Sequence, residues 1–349
     1  MKHEIIIIGA GLTGLTIAYL LHKKGVKATI IESRDRVGGR IYTLKTETHS
    51  NLELGATWFG NKHTNLKHLL DELNIGYFQQ YQEGESALVF NTMVPPHLFV
   101  TNPNNEKSYR IKNGSKAIVD SLSKAILGSI ILNQKIKQIS DKGSYLELTS
   151  TNGYVYRANN VIITMPQKLL LSQILFKPEL PLELVKTMKS THTWMGDSIK
   201  FVLSYKTPFW REAGKSGMVI SQIGAVTEVY DHSNYQKNEF ALMGFVNQNL
   251  RSYSKEDRKS KIIEYLSKYI SLEVQNYMDY KEKDWSLDNS TLTKEESDRV
   301  SIHPEYGNPV FNKKFMNDKL YIAGTETSKL FGGYMEGAVS SAIYTLSDL

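Results

Sequence analysis

The residues of this chain that could do chemistry are a lysine, two arginines and a set of glycines, with no thiol among them. Lys200 stands in Met195-Gly196-Asp197-Ser198-Ile199-Lys200, in an apolar stretch that runs through Tyr205 to Pro208-Phe209-Trp210. Burial of such an ammonium lowers its pKa. The bland alternative is an edge-strand lysine whose head group reaches back to water. The second constellation is Gly9-Ala10-Gly11-Leu12-Thr13-Gly14, with Glu32 eighteen residues beyond Gly14. Glycines at that spacing permit a tight turn and close backbone approach to a pyrophosphate, and Glu32 can accept hydrogen bonds from ribose hydroxyls. Arg34 and Arg36-Val37-Gly38-Gly39-Arg40 follow. Gly38 and Gly39 allow a close backbone path, and Arg40 can offer a guanidinium to a phosphate.

The glycine loop is meaningful only in its setting. Glu4 to Ile8 is a continuous apolar run, the pattern of a strand buried on both faces, and a helix is expected from the loop through Lys24. Lys27 to Ile31 returns as a second strand, completing a right-handed βαβ unit. Further helices are expected over Thr64–Leu73, Asn113–Leu127, Lys255–Tyr269 and Tyr334–Leu346. Short strands are expected near Ile130–Leu132, Lys135–Ser140, Tyr145–Thr149, Tyr154–Arg157 and, separately, Val161–Thr164. An Asn152-Gly153 turn joins the third and fourth of these. Ser198–Tyr205, Met218–Ile220, Ala225–Tyr230 and Phe240–Val246 read as an antiparallel sheet, and Lys319–Ala323 as a strand of the first type.

Two late segments, Ala323-Gly324-Thr325-Glu326-Thr327 and Gly333-Tyr334-Met335-Glu336-Gly337-Ala338, complete a pattern. With the glycine loop and the Lys200 segment, they make the chain resemble the flavin-dependent amine oxidases, the monoamine and polyamine oxidase family. The resemblance implies an α/β fold with a discontinuous FAD-binding, Rossmann-like nucleotide domain of the glutathione reductase type. A smaller α+β substrate domain would be built on an antiparallel sheet. The expected division assigns 1–78, 111–178 and 285–349 to the FAD domain, and 79–110 and 179–284 to the substrate domain.

The same resemblance supplies roles. Gly9, Gly11, Leu12, Thr13, Gly14, Glu32, Arg34, Gly39 and Arg40 would hold the dinucleotide, with Ile136 meeting adenine through its backbone. Gly55, Ala56 and Thr57, in Leu54-Gly55-Ala56-Thr57-Trp58, would run under the flavin. Trp58 would wall the substrate cavity or else be an ordinary core tryptophan. Gly324 and Glu326 match the second pyrophosphate and ribityl contact, and Trp285 matches another cofactor contact. The Met335 amide, at the start of the last helix, would favour the reduced flavin electrostatically. Lys200 would hold a water against flavin N5, and Tyr334 would be one of two aromatic walls around the amine. The implied reaction is hydride transfer from a small-molecule amine to N5, then hydrolysis of the imine to an aldehyde, with dioxygen reduced to hydrogen peroxide.

The chain departs from that pattern after Trp285. Ser286 to Glu295 contains neither glycine nor aromatic, so this segment does not supply the second wall of an aromatic cage, and with a short substrate-domain segment a more open or differently capped cavity is expected. Two other readings stay open beside amine oxidation: an FAD-dependent oxidase or desaturase of porphyrinogen or carotenoid type, and a flavin-binding protein that has lost catalysis. His63 carries no assigned role.

Composition narrows the field. Over 349 residues, 41% are hydrophobic and 22% charged, ordinary for a globular protein. The net charge of +6 is scattered among acids, as in Lys255-Glu256-Asp257-Arg258-Lys259 and Lys294-Glu295-Glu296, so no nucleic-acid partner is expected. There are no cysteines, which excludes disulfides, thiolate metal sites and a cysteinyl–flavin thioether. Non-covalent FAD and no metal are therefore expected. Three glycines interrupt the apolar N-terminus, no stretch reaches membrane-span length, and the chain ends soon after its last helix. A cytoplasmic protein without a membrane anchor is the expectation.

Overall fold

Alternation along one strand organises half of the molecule. The computed structural model describes residues 2–126, 130–294, 305–347 and 349. In the first strand, Lys2–Ile8, Ile5 and Ile7 join one buried cluster while Ile6 and Ile8 join another. Successive strand side chains point to opposite faces, so four consecutive isoleucines serve two cores. The first core is completed by the helices Leu12–Lys23, Lys116–Ala125 and Met335–Ser347. The second is completed by the helices Gln167–Gln173 and Leu182–Ser190 and by an antiparallel ribbon. The result is a sheet covered on both sides.

Lys2–Ile8 pairs in parallel with Ala28–Ile31 on one side and with Val155–Ile163 on the other. The sheet then forks. The first half of Val155–Ile163 pairs antiparallel with Leu146–Ser150, and the second half pairs in parallel with Leu320–Ile322. Sequence reading split this long strand in two at Ala158-Asn159-Asn160. The strand continues because Asn160 takes its place opposite Ile5 in the parallel ladder. Backbone pairing outweighs a polar local composition here.

A second, seven-stranded sheet carries Lys200. Its order begins with Asp279–Asp284, Ile199–Tyr205, Phe240–Val246 and Val226–Asp231. Lys215–Ser221, Glu85–Val89 and His97–Val100 follow. All pairings are antiparallel except that between Lys215–Ser221 and Glu85–Val89. The irregular sequence from Gly84 therefore hides two strands that close this sheet. Its outer face, with Phe201 and Leu203, packs on the helix Lys255–Tyr269. Its inner face, with Val202, Ala241 and Met243, packs on Leu52 and Leu54.

The helices at 64–72, 255–269 and 335–347 match expectation closely. Asn113 and Gly114 take positive φ, so the third helix starts only at Lys116. Leu127, at its expected end, lies outside the described residues, as do Glu295 and Glu296. The helices Gln167–Gln173 and Leu182–Ser190 escaped sequence reading. Each follows a proline, Pro166 or Pro181, whose ring fixes φ near the helical value and is the signal that could have found them.

Candidate active site

The glycine loop is held open by its neighbours. Gly9 has φ +108, and a Cβ there would lie 2.7 Å from Thr164 Oγ1. The Thr164 hydroxyl in turn donates to the carbonyls of Ile8 and Gly9 at 3.0 and 3.1 Å. A Cβ on Gly14 would sit 2.0 Å from the Gly9 carbonyl, so helix and strand approach as only glycine permits. Gly11 faces open space, and the helix that begins at Leu12 has no side-chain cap. Its first N–H groups are therefore available to an anion. Glu32, 3% exposed, accepts the Ala10 N–H at 2.7 Å and the Arg34 N–H at 3.0 Å, which fixes the far side of the loop.

From this loop a cavity of about 660 Å³ runs to Lys200. Gly9, Gly11, Leu12, Thr13, Glu32, Arg34, Gly39, Arg40 and Ile136 line one end. Gly55, Ala56, Thr57, Trp58, Lys200, Trp285, Tyr334 and Met335 line the rest. Three residues of the expected set stand behind the wall. Gly14 packs against the loop. Glu326, 1% exposed, pairs with Arg40 at 2.6 Å, and Gly324 with φ +136 turns the chain toward it. Arg40 Nη1 also donates to the Trp194 carbonyl at 3.3 Å.

Lys200 is 3% exposed. Its ammonium donates to the Gly55 carbonyl at 2.7 Å and to Thr57 Oγ1 at 2.5 Å. It also lies 5.2 Å from the ring of Trp58 and 5.5 Å from that of Phe245. Burial pushes its pKa down to about 7, with Glu53 opposing the shift and Arg110 adding to it. Glu53 is itself sealed off, and burial raises its pKa. Its carboxylate accepts the Ser115 N–H and, at 2.9 Å, the Thr43 hydroxyl.

Trp58 is a wall residue tied to the structure: its indole donates to Gln80 at 2.8 Å and packs edge-on to Tyr230 at 5.0 Å. Tyr334, 39% exposed, presents its ring openly instead of filling a core. It directly precedes Met335, the first residue of the last helix, and Gly333 before it takes φ +86. His63 lies beside it, with ring centroids 5.8 Å apart, and burial holds the imidazole pKa below its usual value.

The segment after Trp285 has a different task from the one that its lack of aromatics made conspicuous. Asp288 and Thr291 clamp the Arg34 guanidinium at 2.7 and 2.8 Å. Aromatic bulk near Tyr334 comes from elsewhere. Trp194 lies against Gly333, where a Cβ would meet it at 2.8 Å, and Tyr306 lies against Gly332, where a Cβ would meet it at 2.4 Å. Sequence reading gave neither residue a role, because neither sits in a motif. It also missed Gln167, which is 1% exposed with both amide atoms unpartnered, near Gly324.

An uncapped helix N-terminus, a glycine cradle, a phosphate-ready arginine and an elongated cavity fit a dinucleotide that ends at Lys200. Comparison with known proteins decides which one. Residues 74–345 match the family model for flavin containing amine oxidoreductases, and residues 7–73 match that for an NAD(P)-binding Rossmann-like domain. The chain belongs to the flavin-containing amine oxidoreductases. FAD is thus the cofactor, and without cysteine the protein cannot bind it through a thioether.

Relatives of this amine oxidoreductase span nearly its whole length. A probable flavin-containing monoamine oxidase A of Dictyostelium discoideum is 23% identical, covering 97% of this chain and 95% of that protein. Human flavin-containing amine oxidase B is 24% identical, covering 97% and 84%. Among solved structures, putrescine oxidase bound to putrescine superposes with a TM-score of 0.86 at 21% identity, covering 100% and 99%. Cyclohexylamine oxidase from Brevibacterium oxydans gives 0.84 at 18%, with the same coverage. The structural likenesses establish the α/β fold. Among the described residues, no helix is long and apolar enough to cross a membrane, and no cluster of side chains could hold a metal.

Proposed function

We propose that the protein oxidises the α-carbon of an amine bound between Tyr334 and the flavin, beside Lys200. The observation that carries this reading is the enclosed Lys200 ammonium, fixed by Gly55 and Thr57 at the end of the nucleotide cavity. FAD held there would supply the hydride acceptor, with dioxygen as the final oxidant reduced to hydrogen peroxide, and water would hydrolyse the imine product to an aldehyde and ammonia or a smaller amine.

The chain's own residues would do the rest. Arg40, the loop 9–14 and the N-terminus of the helix Leu12–Lys23 would hold the pyrophosphate, and Glu32 the ribose. The first amides of the helix Met335–Ser347 would face the ring end that becomes electron-rich. Lys200, with its pKa near 7, would hold water or a proton at the reacting edge. Tyr334 and Trp58 would flank the amine and exclude bulk water. Residues 79–110 and 179–284 would form the substrate domain, and the remainder the FAD domain.

The test is a visible spectrum of the purified protein under anaerobic conditions. Flavin bands that bleach on addition of an amine, and return with peroxide on admission of air, are expected. Bound flavin that no amine in a broad panel reduces would defeat the reading.

A further inference from the structure

Trp58 and Lys200 stand side by side but belong to different sheets. Trp58 opens the strand Trp58–Gly60, which pairs with Ser108–Ile111, and that strand pairs on its other side with Tyr77–Gln79. Lys200 lies in the seven-stranded sheet. The indole ring is 5.2 Å from the Lys200 ammonium, edge-on to Tyr230 at 5.0 Å and tilted to Phe245 at 6.4 Å. Tyr230 and Phe245 also belong to the seven-stranded sheet, so a ring from one sheet is set against three side chains of the other. Apolar contacts of this kind are non-directional, and a hydrogen bond supplies the direction.

One side chain ties the two sheets at this point. Gln80, 2% exposed, directly follows the strand Tyr77–Gln79. Its Oε1 accepts the Trp58 indole N–H at 2.8 Å, and its Nε2 donates to the carbonyls of Asp231 at 2.7 Å and Tyr81 at 3.1 Å. These neighbours dictate the amide orientation. Turned over, it would set its amino group against the indole N–H and its oxygen against two carbonyls. Asp231 is immobilised in turn: its carboxylate accepts Trp210 Nε1 at 2.7 Å and Arg211 Nε and Nη2 at 2.7 and 2.8 Å. Gln80 thus takes its position from the sheet that carries Lys200 and passes it to the indole.

We infer that Gln80 is a positioning residue, which fixes the plane of the Trp58 ring and with it the width of the cavity beside Lys200, so that slender amines are favoured over broad ones. This rests on the amine-oxidation reading above. Gln80 is not among the residues that line the cavity, so its effect runs through Trp58. Without its acceptor, the indole N–H is a buried donor lacking a partner, and the ring regains one by turning toward the cavity. The wall then yields. A slender amine loses a fitted contact, while a broad one gains room.

The experiment compares native protein, Gln80→Met, Trp58→Phe and the double variant, all loaded with FAD. Anaerobic stopped-flow reduction by butylamine and by benzylamine gives a Kd and a limiting rate for each. Gln80→Met should shift the ratio of the two Kd values in favour of benzylamine by about fivefold or more, with limiting rates within about threefold. Trp58→Phe breaks the same hydrogen bond from its other end and should shift the ratio in the same direction, which preserves the test should Gln80→Met fail to fold. In the Trp58→Phe background, Gln80→Met should change the ratio by less than about twofold. An unshifted ratio in either single variant, or two effects that multiply, would overturn the inference and leave amine oxidation intact. If neither amine reduces the flavin, the amine reading has failed, and the ring itself decides whether Gln80 positions it. Of the four indole N–H signals of nitrogen-15-labelled protein, the one missing from Trp58→Phe should move in Gln80→Met and exchange with deuterium faster by about tenfold or more. A signal that stays in place sinks the inference on its own.

Discussion

The ammonium of Lys200 and the hydroxyl of Thr57 lie 2.5 Å apart, joining the inner face of the seven-stranded sheet to the segment expected to run under the flavin. Because both partners are buried, the contact fixes the lysine head group in position. The pKa near 7 follows from enclosure, since water is replaced by one carbonyl and one hydroxyl.

Lys200→Met should therefore remove a proton-dependent step. In the native protein, the rate of flavin reoxidation by dioxygen should show an inflection near neutral pH, and in Lys200→Met that rate should be lower by about tenfold or more and lose the inflection. Stability gives an independent reading. The folded state holds Lys200 near 7 against an ordinary 10.5, so the unfolded chain binds more protons between those values. Stability of the flavin-free protein should rise with pH across that window, and Lys200→Met should flatten the rise in urea titrations.

Glu53 should tune the same group. It opposes the burial that lowers the Lys200 pKa, and Arg110 works the other way. His232, whose Nε2 accepts the Glu53 N–H at 3.1 Å, has its pKa held low and adds no fixed positive charge. Glu53→Gln keeps the acceptor for Ser115 but removes the charge, so the inflection in the reoxidation profile should move to lower pH. An unmoved inflection would show that Glu53 does not act through Lys200.

The Arg40–Glu326 pair should govern retention of FAD. Glu326→Gln leaves the guanidinium without its buried counter-charge, and losing one partner of such a pair costs about 3–5 kcal/mol when fully buried, less here because Arg40 is 26% exposed. Flavin fluorescence titration should show weaker FAD binding in Arg40→Ala by about tenfold or more. Thermal denaturation without flavin should show Arg40→Ala to be the less stable of the two, because it strands the Glu326 carboxylate, 1% exposed, whereas Glu326→Gln strands a guanidinium that reaches solvent.

Gly14→Ala tests the loop without touching any charge. A Cβ there would overlap the Gly9 carbonyl, so helix or strand must shift. A loss of about 2 kcal/mol or more in stability, with weaker FAD binding, is expected from chemical denaturation. Gly11→Ala faces open space and should leave the flavin-free fold nearly unchanged while obstructing the cofactor.

Much of this protein is local in origin and could be read from its residues. The run Ile5–Ile8, the glycine loop and Glu32 specify a nucleotide-binding βαβ unit, because strand burial, tight turning and an uncapped helix start are properties of adjacent residues. The Lys200 segment and the last helix are legible for the same reason. What tertiary structure alone decided is how distant residues meet. Nothing near Arg40 in sequence announces Glu326, and nothing near Arg34 announces Asp288 and Thr291. Trp194 and Tyr306 take positions beside Tyr334 only because glycines 332 and 333 leave them room. The Lys200 pKa depends on how completely two halves of the chain close around it. Spacing along the chain sets local geometry, but burial and long-range pairing arise only when the strands are laid side by side.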